Sequence, residues 1–333
     1  MTNTSDDYYD YTQIPDLINY QLAFIAKSVL APTFTYAGAV LNVLAFCIWM
    51  FGPKSKSLCC ATYFTANSIA DLLLLTIRPI FLNNWIINIP IRMTDVTCKL
   101  LWSLCDSLLQ VSTWLSATIT VERALTIILP FVFKSQDMNK RSKYIVAIII
   151  VIQPLTQILT LMYVYVYPNV KICYVTSGEE SIRAGLHLWL ALVIPFLVII
   201  AFNLATITAL CRNRFRQNTV SGNRDHALVF TKITIMTGVS FVLSYSLKLV
   251  ENMHWVLNAE IWVLWFVWEL EKAMMYFNSC MNPIICLVVC RSMHDDIKSF
   301  LVAVVRRVRR PCTSRSSHLE AETANAFQMV NTV

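Results

Sequence analysis

Glycine is scarce in this chain, with six among 333 residues, and none lies in a run able to cradle a phosphate. The five histidines are scattered, and no His/Cys spacing suits a resident metal. No nucleophile stands beside a base in any recognisable pattern. Charged residues make up only 14% of the chain, too few to cover the surface of soluble domains of this length. Internal repeats are absent as well. These gaps exclude a loop-rich soluble enzyme, a phosphate-loop enzyme and a repeat solenoid.

Apolar residues fill the space instead, at 56%. A membrane-spanning helix needs about 20 mostly apolar residues, and seven stretches satisfy that: 23–50, 58–83, 97–129, 144–166, 184–211, 228–256 and 260–289. The predicted fold class is an all-α membrane protein, a seven-transmembrane helix bundle. The first twenty residues are polar and acidic, without a basic start and a short apolar core, so they read as an uncleaved tail. Residues 1–22 form that extracellular tail and 23–290 the bundle. A juxtamembrane amphipathic helix follows at 291–310, then a cytoplasmic tail at 311–333.

Orientation follows from lysine and arginine, which collect on the inner side. With the amino terminus outside, Lys54, Lys134, Lys140, Arg141, Arg212, Arg214, Arg216, Arg306, Arg307, Arg309 and Arg310 all fall inside. The plasma membrane is the predicted location. The net charge of +7 suits anionic lipid and acidic partners at that inner face, and nothing calls for nucleic acid. In the helix after the seventh span, Met293, Ile297, Phe300, Leu301, Val304 and Val305 recur at helical spacing, as for a helix lying on the inner leaflet. Cys312 is a palmitoylation candidate. Asn3 opens an Asn-Thr-Ser glycosylation acceptor on the outer side. Of the eleven cysteines, Cys98 and Cys173 face the oxidising side, where a bridge would tie the loop before the fifth span over the bundle mouth.

Polar groups inside the spans carry the functional signal, because an ionisable side chain at membrane depth is costly and usually has a task. Asn42, Asp71, Ser112, Asn278, Ser279 and Asn282 are such groups, and "TVERALTIILP" places Glu122 and Arg123 in an apolar run. Arg123 lies 25 residues after Cys98 and seven before Pro130. With Asn42 in "AGAVLNVLAF", Asp71 in "ADLLLL", Pro195 in "VIPF" and Asn282-Pro283 in "SCMNPII", this order resembles the rhodopsin-like family of G-protein-coupled receptors over roughly residues 22–305. The resemblance implies a receptor that couples to a heterotrimeric G protein, with arrestin at the carboxyl-terminal tail. Glu122, Arg123, Pro130, Asn282 and Pro283 would be its switch, with Glu122 neutralising Arg123 at rest. The competing reading has Arg123 simply reaching the headgroups. Asp71, Ser112, Asn278, Ser279 and Asn282 correspond to the family's allosteric sodium pocket, with Asp71 the metal ligand. A water-filled polar network is the alternative there. No other cofactor is implied.

The departures from the family pattern are specific. Ala124 replaces the tyrosine after the arginine and Gln153 the fourth-span tryptophan. "FVLSYSL" lacks the sixth-span proline, with Leu247 in its place. Asn203 and Cys286 replace two tyrosines. Tyr276 stands where light-sensing members carry their lysine, and Cys105 where amine receptors carry an aspartate, with Asp106 one residue on. What remains resembles peptide and neuropeptide receptors. Pocket candidates are Asp106, Gln110, Tyr245, Lys248, Lys272 and Tyr276, within a mouth that also holds Arg78, Glu251, Glu269, Glu271 and several tryptophans. Lys248 and Glu251 are spaced to pair along one helix. A mouth of mixed charge suits a peptide bearing both charges and an aromatic side chain. A small-molecule chemosensory receptor of the same fold is the second reading. A seven-helix transporter is the third, weakened by the absence of half-repeats.

Overall fold

Proline decides where the helices deviate. A computed structural model describes residues 17–55, 60–81, 94–129, 135–157, 164–166, 173–175, 188–216, 224–257, 264–290, 292–300 and 302. The first helix, α1, runs as Leu17–Ile25, a wide π turn Ala26–Leu30, and Ala31–Phe51. Pro32 follows that turn directly; its ring and missing N–H do not fit a regular ladder, and the extra residue in the wide turn absorbs the mismatch. Then come α2 (Ala61–Phe81), α3 (Asp95–Ile128) and α4 (Ser135–Thr156). A second π turn, Leu188–Val193, leads into Ile194–Arg216 just ahead of Pro195, and the two make up α5. The series ends with α6 (Arg224–Leu257), α7 (Leu264–Val289) and α8, residues 292–300.

The fourth span begins and ends earlier than the sequence suggests. Its helix starts at Ser135 and stops at Thr156, two residues after Pro154. Val164–Val166, assigned to that span from hydropathy, is strand β1, paired antiparallel with β2, Cys173–Val175, in the register Val164↔Val175 and Val166↔Cys173. "YVYVY" alternates β-branched and aromatic residues, which favour a strand as strongly as a lipid span. Both strands lie against α3.

The helices form one bundle. α2 packs on α1 and α3, α3 on α4 and α5, and α7 on α6 and α1. Gly38 makes the α1–α7 approach close: a Cβ there would come within 2.7 Å of Cys280 Sγ and 2.8 Å of Leu75 Cδ1. One apolar cluster gathers Trp49, Tyr63, Phe64, Leu115, Ile119, Ile285 and Met293. Another gathers Leu74, Leu75, Phe241, Tyr245, Met275 and Tyr276. The outside is apolar too, with Tyr36, Val40, Val151, Leu155, Leu197, Leu243 and Val288 exposed, as suits a surface solvated by lipid. Among the described residues four helices, Tyr20–Phe51, Trp189–Cys211, Thr231–Val250 and Phe266–Val289, are long and apolar enough to cross a membrane by length and composition. In α3 the serines and threonines lower the hydropathy, and several return their hydroxyls to the carbonyl four residues back, as Thr113, Thr118 and Thr120 do.

α8 is fastened to the end of α1. Pro53 favours an extended Gly52, which closes α1 by donating its N–H to Ile48 O at 2.8 Å. The turn that follows points two N–H groups, of Ser55 and Lys54, at the buried Asp296 carboxylate, at 2.7 and 3.3 Å. A side chain at Gly52 would collide with that carboxylate. Lys54 Nζ meets Asp295 at 2.6 Å; the hydrogen bond and charge of Lys54 hold that carboxyl below its ordinary range, and Asp295 holds the ammonium above its own. Both groups are exposed, so the pair adds little to stability. In α8 Met293 is buried while Phe300 and Val302 are exposed, in keeping with an amphipathic helix lying on a membrane surface.

Asp296→Ala leaves the buried Ser55 N–H and the partly buried Lys54 N–H without their charged acceptor and is expected to cost about 2 kcal/mol, read as a lower unfolding temperature in detergent. Asp295→Ala should change it little.

Candidate functional site

The polar side chains collect in three layers, and α3 carries a member of each: Asp106, Ser112 and Glu122. At a rise of about 1.5 Å per residue these span about 24 Å of the helix.

The middle layer is built on Asp71, fully buried on α2. Ser112 Oγ and Ser279 Oγ donate to its Oδ1 at 2.8 and 3.0 Å. Asn67 Nδ2 and Asn282 Nδ2 donate to Oδ2 at 2.9 and 3.2 Å. One carboxylate thus joins α2, α3 and α7. Asn42 adds α1: its Nδ2 donates to Gly38 O at 2.9 Å and to Ser279 O at 3.0 Å. The second bond has a cause in the sequence, since Pro283 has no N–H and leaves the Ser279 carbonyl without its helical partner. Four side-chain amide oxygens, of Asn42, Asn67, Asn278 and Asn282, are buried and accept no hydrogen bond from the described residues. Oxygen acceptors around one carboxylate fit a hard monovalent cation or ordered water.

Of the predicted residues here, Asp71, Ser112, Ser279 and Asn282 come together. Asn278 is buried on α7 but its Oδ1 has no protein donor. Asn67 was not anticipated. Its signal is available, an amide four residues before the aspartate on the same helical face.

At the inner end, Glu122 is buried and its Oε1 accepts from Arg141 Nη2 at 2.8 Å and Nε at 3.2 Å. The expectation paired Glu122 with Arg123; the structure brings in α4, whose Arg141 stands one turn and more inside the helix. Arg123 itself is half-buried beside Glu122. An arginine 19 residues downstream reaches the acid only through the tertiary fold, so sequence spacing could not reveal it.

The outer layer holds the pocket candidates. Lys248 pairs across helices with Glu271 at 3.4 Å; the expected pairing with Glu251 along α6 falls on a side chain outside the described residues. Lys272 Nζ donates to Glu269 at 3.1 Å and lies 3.6 Å from the Trp268 ring centroid. Arg78 Nη1 reaches Met275 Sδ at 3.5 Å, within electrostatic range of Asp106, Glu271 and Tyr276. Tyr276 is fully buried, and Tyr245 packs on Phe241 with ring centroids 4.4 Å apart. Gln110 is buried deeper between α3 and α4, where its Oε1 accepts the Thr156 hydroxyl at 2.7 Å. Cys98 is buried at the outer end of α3, the helix on which β1 and β2 rest. Asn3, Pro130, Cys312, the side chains of Cys173 and Glu251, and the arginine cluster at 306–310 lie outside the described residues.

A family model for the seven-transmembrane receptors of the rhodopsin family matches residues 41–285 of the chain. No curated protein matches it.

Arg141→Met strips the buried Glu122 carboxylate of two charged donors. Removing one partner of a fully buried pair costs ~3–5 kcal/mol; Arg141 is partly exposed, so about 2 kcal/mol is expected in thermal or denaturant unfolding. Glu122→Gln in the Arg141→Met background should recover part of that loss, because a neutral amide needs no cation.

Proposed function

Because the chain belongs to the rhodopsin family of seven-transmembrane receptors, we propose that it receives an extracellular peptide and activates a heterotrimeric G protein at its inner face. It is a multi-pass membrane receptor and not an enzyme. The observation that carries the reading is the stacking of three polar layers on α3. A charged mouth lies above the Asp71 node, and the Glu122–Arg141 pair lies below it.

In this reading the amino terminus is outside and the carboxyl-terminal tail meets G protein and arrestin. The mouth offers both signs of charge beside aromatic rings, which supports a peptide carrying both charges and an aromatic side chain. A ligand that rearranges the Lys248–Glu271 contact acts on α6 and α7 together. The shared node then transmits a change in their spacing to α2 and α3, because Asp71 bonds residues of both α3 and α7. At the inner end, loosening α3 from α4 at the Glu122–Arg141 pair exposes Arg123 to the G-protein tail. Cys98 stands apart from the free thiols, supporting a bridge to Cys173 that ties the hairpin over the mouth. Asn3 as a glycosylation site and Cys312 as a palmitoylation site complete the proposal.

Sodium fits the middle layer. Asp71, Ser112 and Ser279 would hold it, with the amide oxygens of Asn278 and Asn282 near, and the bound ion would supply charge neutralisation of the buried carboxylate. Where Asp71 holds a cation, the purified receptor should melt at a higher temperature in sodium chloride than in an equal concentration of N-methylglucamine chloride. Asp71→Asn should erase that difference. An unchanged difference in the variant assigns the middle layer to water.

Coupling is tested by G-protein dissociation in intact cells, at rest and with libraries of amidated and free-acid peptides. A responding peptide should lose its effect in Arg123→Ala at equal surface display. Undiminished signalling in that variant removes Arg123 from the mechanism. A response to small molecules alone favours chemosensing.

A further inference from the structure

The outer layer has an unequal ledger of charged groups. Among the described residues three cations are present, and each faces a partner. Lys272 donates to Glu269 Oε1 and lies on the Trp268 ring. Lys248 reaches Glu271. Arg78 meets Met275 Sδ at 3.5 Å and lies within electrostatic range of Asp106, Glu271 and Tyr276. One acid oxygen differs. Glu269 Oε2 is buried, in a residue only 3% exposed, and accepts no hydrogen bond from the described residues. Glu269 is not isolated from the pocket, because its partner Lys272 lies within electrostatic range of both Arg78 and Glu271. Among the described residues the open valence in this layer is therefore an acceptor.

A desolvated carboxylate oxygen is expensive unless a donor meets it, and a charged donor meets it best. An anionic ligand group would face Asp106, Glu269 and Glu271 and would first have to strip a lysine from its acid. A cationic group meets neither obstacle. We propose that Glu269 Oε2 is the anchor for a guanidinium group of the ligand, with the neighbouring Trp268 ring as its stacking surface. This rests on the receptor reading and narrows its ligand to one bearing an arginine-like cation. The chain's own ammonium already marks the chemistry: Lys272 uses the same carboxylate and the same ring. A guanidinium suits the remaining oxygen better than a second ammonium, because its planar fork stacks on an indole while donating sideways.

The test uses the full-length receptor in nanodiscs and three probes at equal ionic strength: N-benzoyl-arginine amide, its neutral isostere N-benzoyl-citrulline amide, and N-benzoyl-glutamate. The arginine probe should raise the melting temperature saturably, and the citrulline and glutamate probes should bind at least tenfold more weakly. Glu269→Gln should lose the preference for arginine over citrulline. Lys272→Met, which leaves both Glu269 oxygens to the ligand, should bind the arginine probe more tightly and serves also if Glu269→Gln does not fold. Equal binding of arginine and citrulline probes, no arginine shift, stronger binding of the glutamate probe, or weakened arginine binding in Lys272→Met overturns the proposal. The readout involves no G protein. Arginine-selective binding without coupling would leave the anchor standing and remove the coupling reading, whereas peptide-driven coupling without arginine selectivity would remove the anchor alone.

Discussion

Everything in the interior is arranged around a carboxylate that the bilayer makes expensive. Asp71 is buried where no bulk water reaches it, and an isolated charge there has no stable place. Four donors on three helices meet its two oxygens. Those donors fix the rotation of α2, α3 and α7, since a helix turned by one residue, about 100°, would carry its donor away. Apolar packing alone does not set rotation so sharply between helices that are also apolar on their lipid side. The two hydrophobic clusters pack the bundle; the carboxylate selects which faces they pack with.

The same demand explains why the helices are irregular at proline. Each proline deprives a carbonyl of its helical donor, and in a membrane that carbonyl must be met inside the protein. At Pro283 the Asn42 amide meets the Ser279 carbonyl. In α5 the wide turn before Pro195 offers Leu190 O to the Trp114 indole at 2.9 Å. Both repairs are tertiary contacts, so the prolines that weaken single helices also bind neighbouring helices together.

This separates what the sequence could reveal from what it could not. The seven apolar stretches mark the spans because lipid imposes one length and one polarity on every one of them. The Asp71 partners were legible through their order and spacing, except Asn67, whose helical offset was overlooked. Arg141 on Glu122 and Lys248 on Glu271 were not legible. Each joins side chains of different helices, and a long flexible cation has several acids in reach until packing sets which of them it meets. The hairpin at Val164–Val166 was misread for a different reason: alternating valine and tyrosine satisfies hydropathy for a span and propensity for a strand equally well.

The unbroken α6 gives these pairings a mechanical meaning. With Leu247 in place of a proline, the helix has no internal hinge over its 34 residues. A force on Lys248 near its outer end therefore cannot be absorbed by a local bend, and the helix responds as one rod. A rod tied near that end by the Lys248–Glu271 pair would pivot on its packing in the middle, where Phe241 and Tyr245 sit against the apolar core. Its inner end then moves in proportion to the lever arm. In a hinged helix part of any force applied at one end is lost to bending, whereas a helix without a hinge transmits it as tilt.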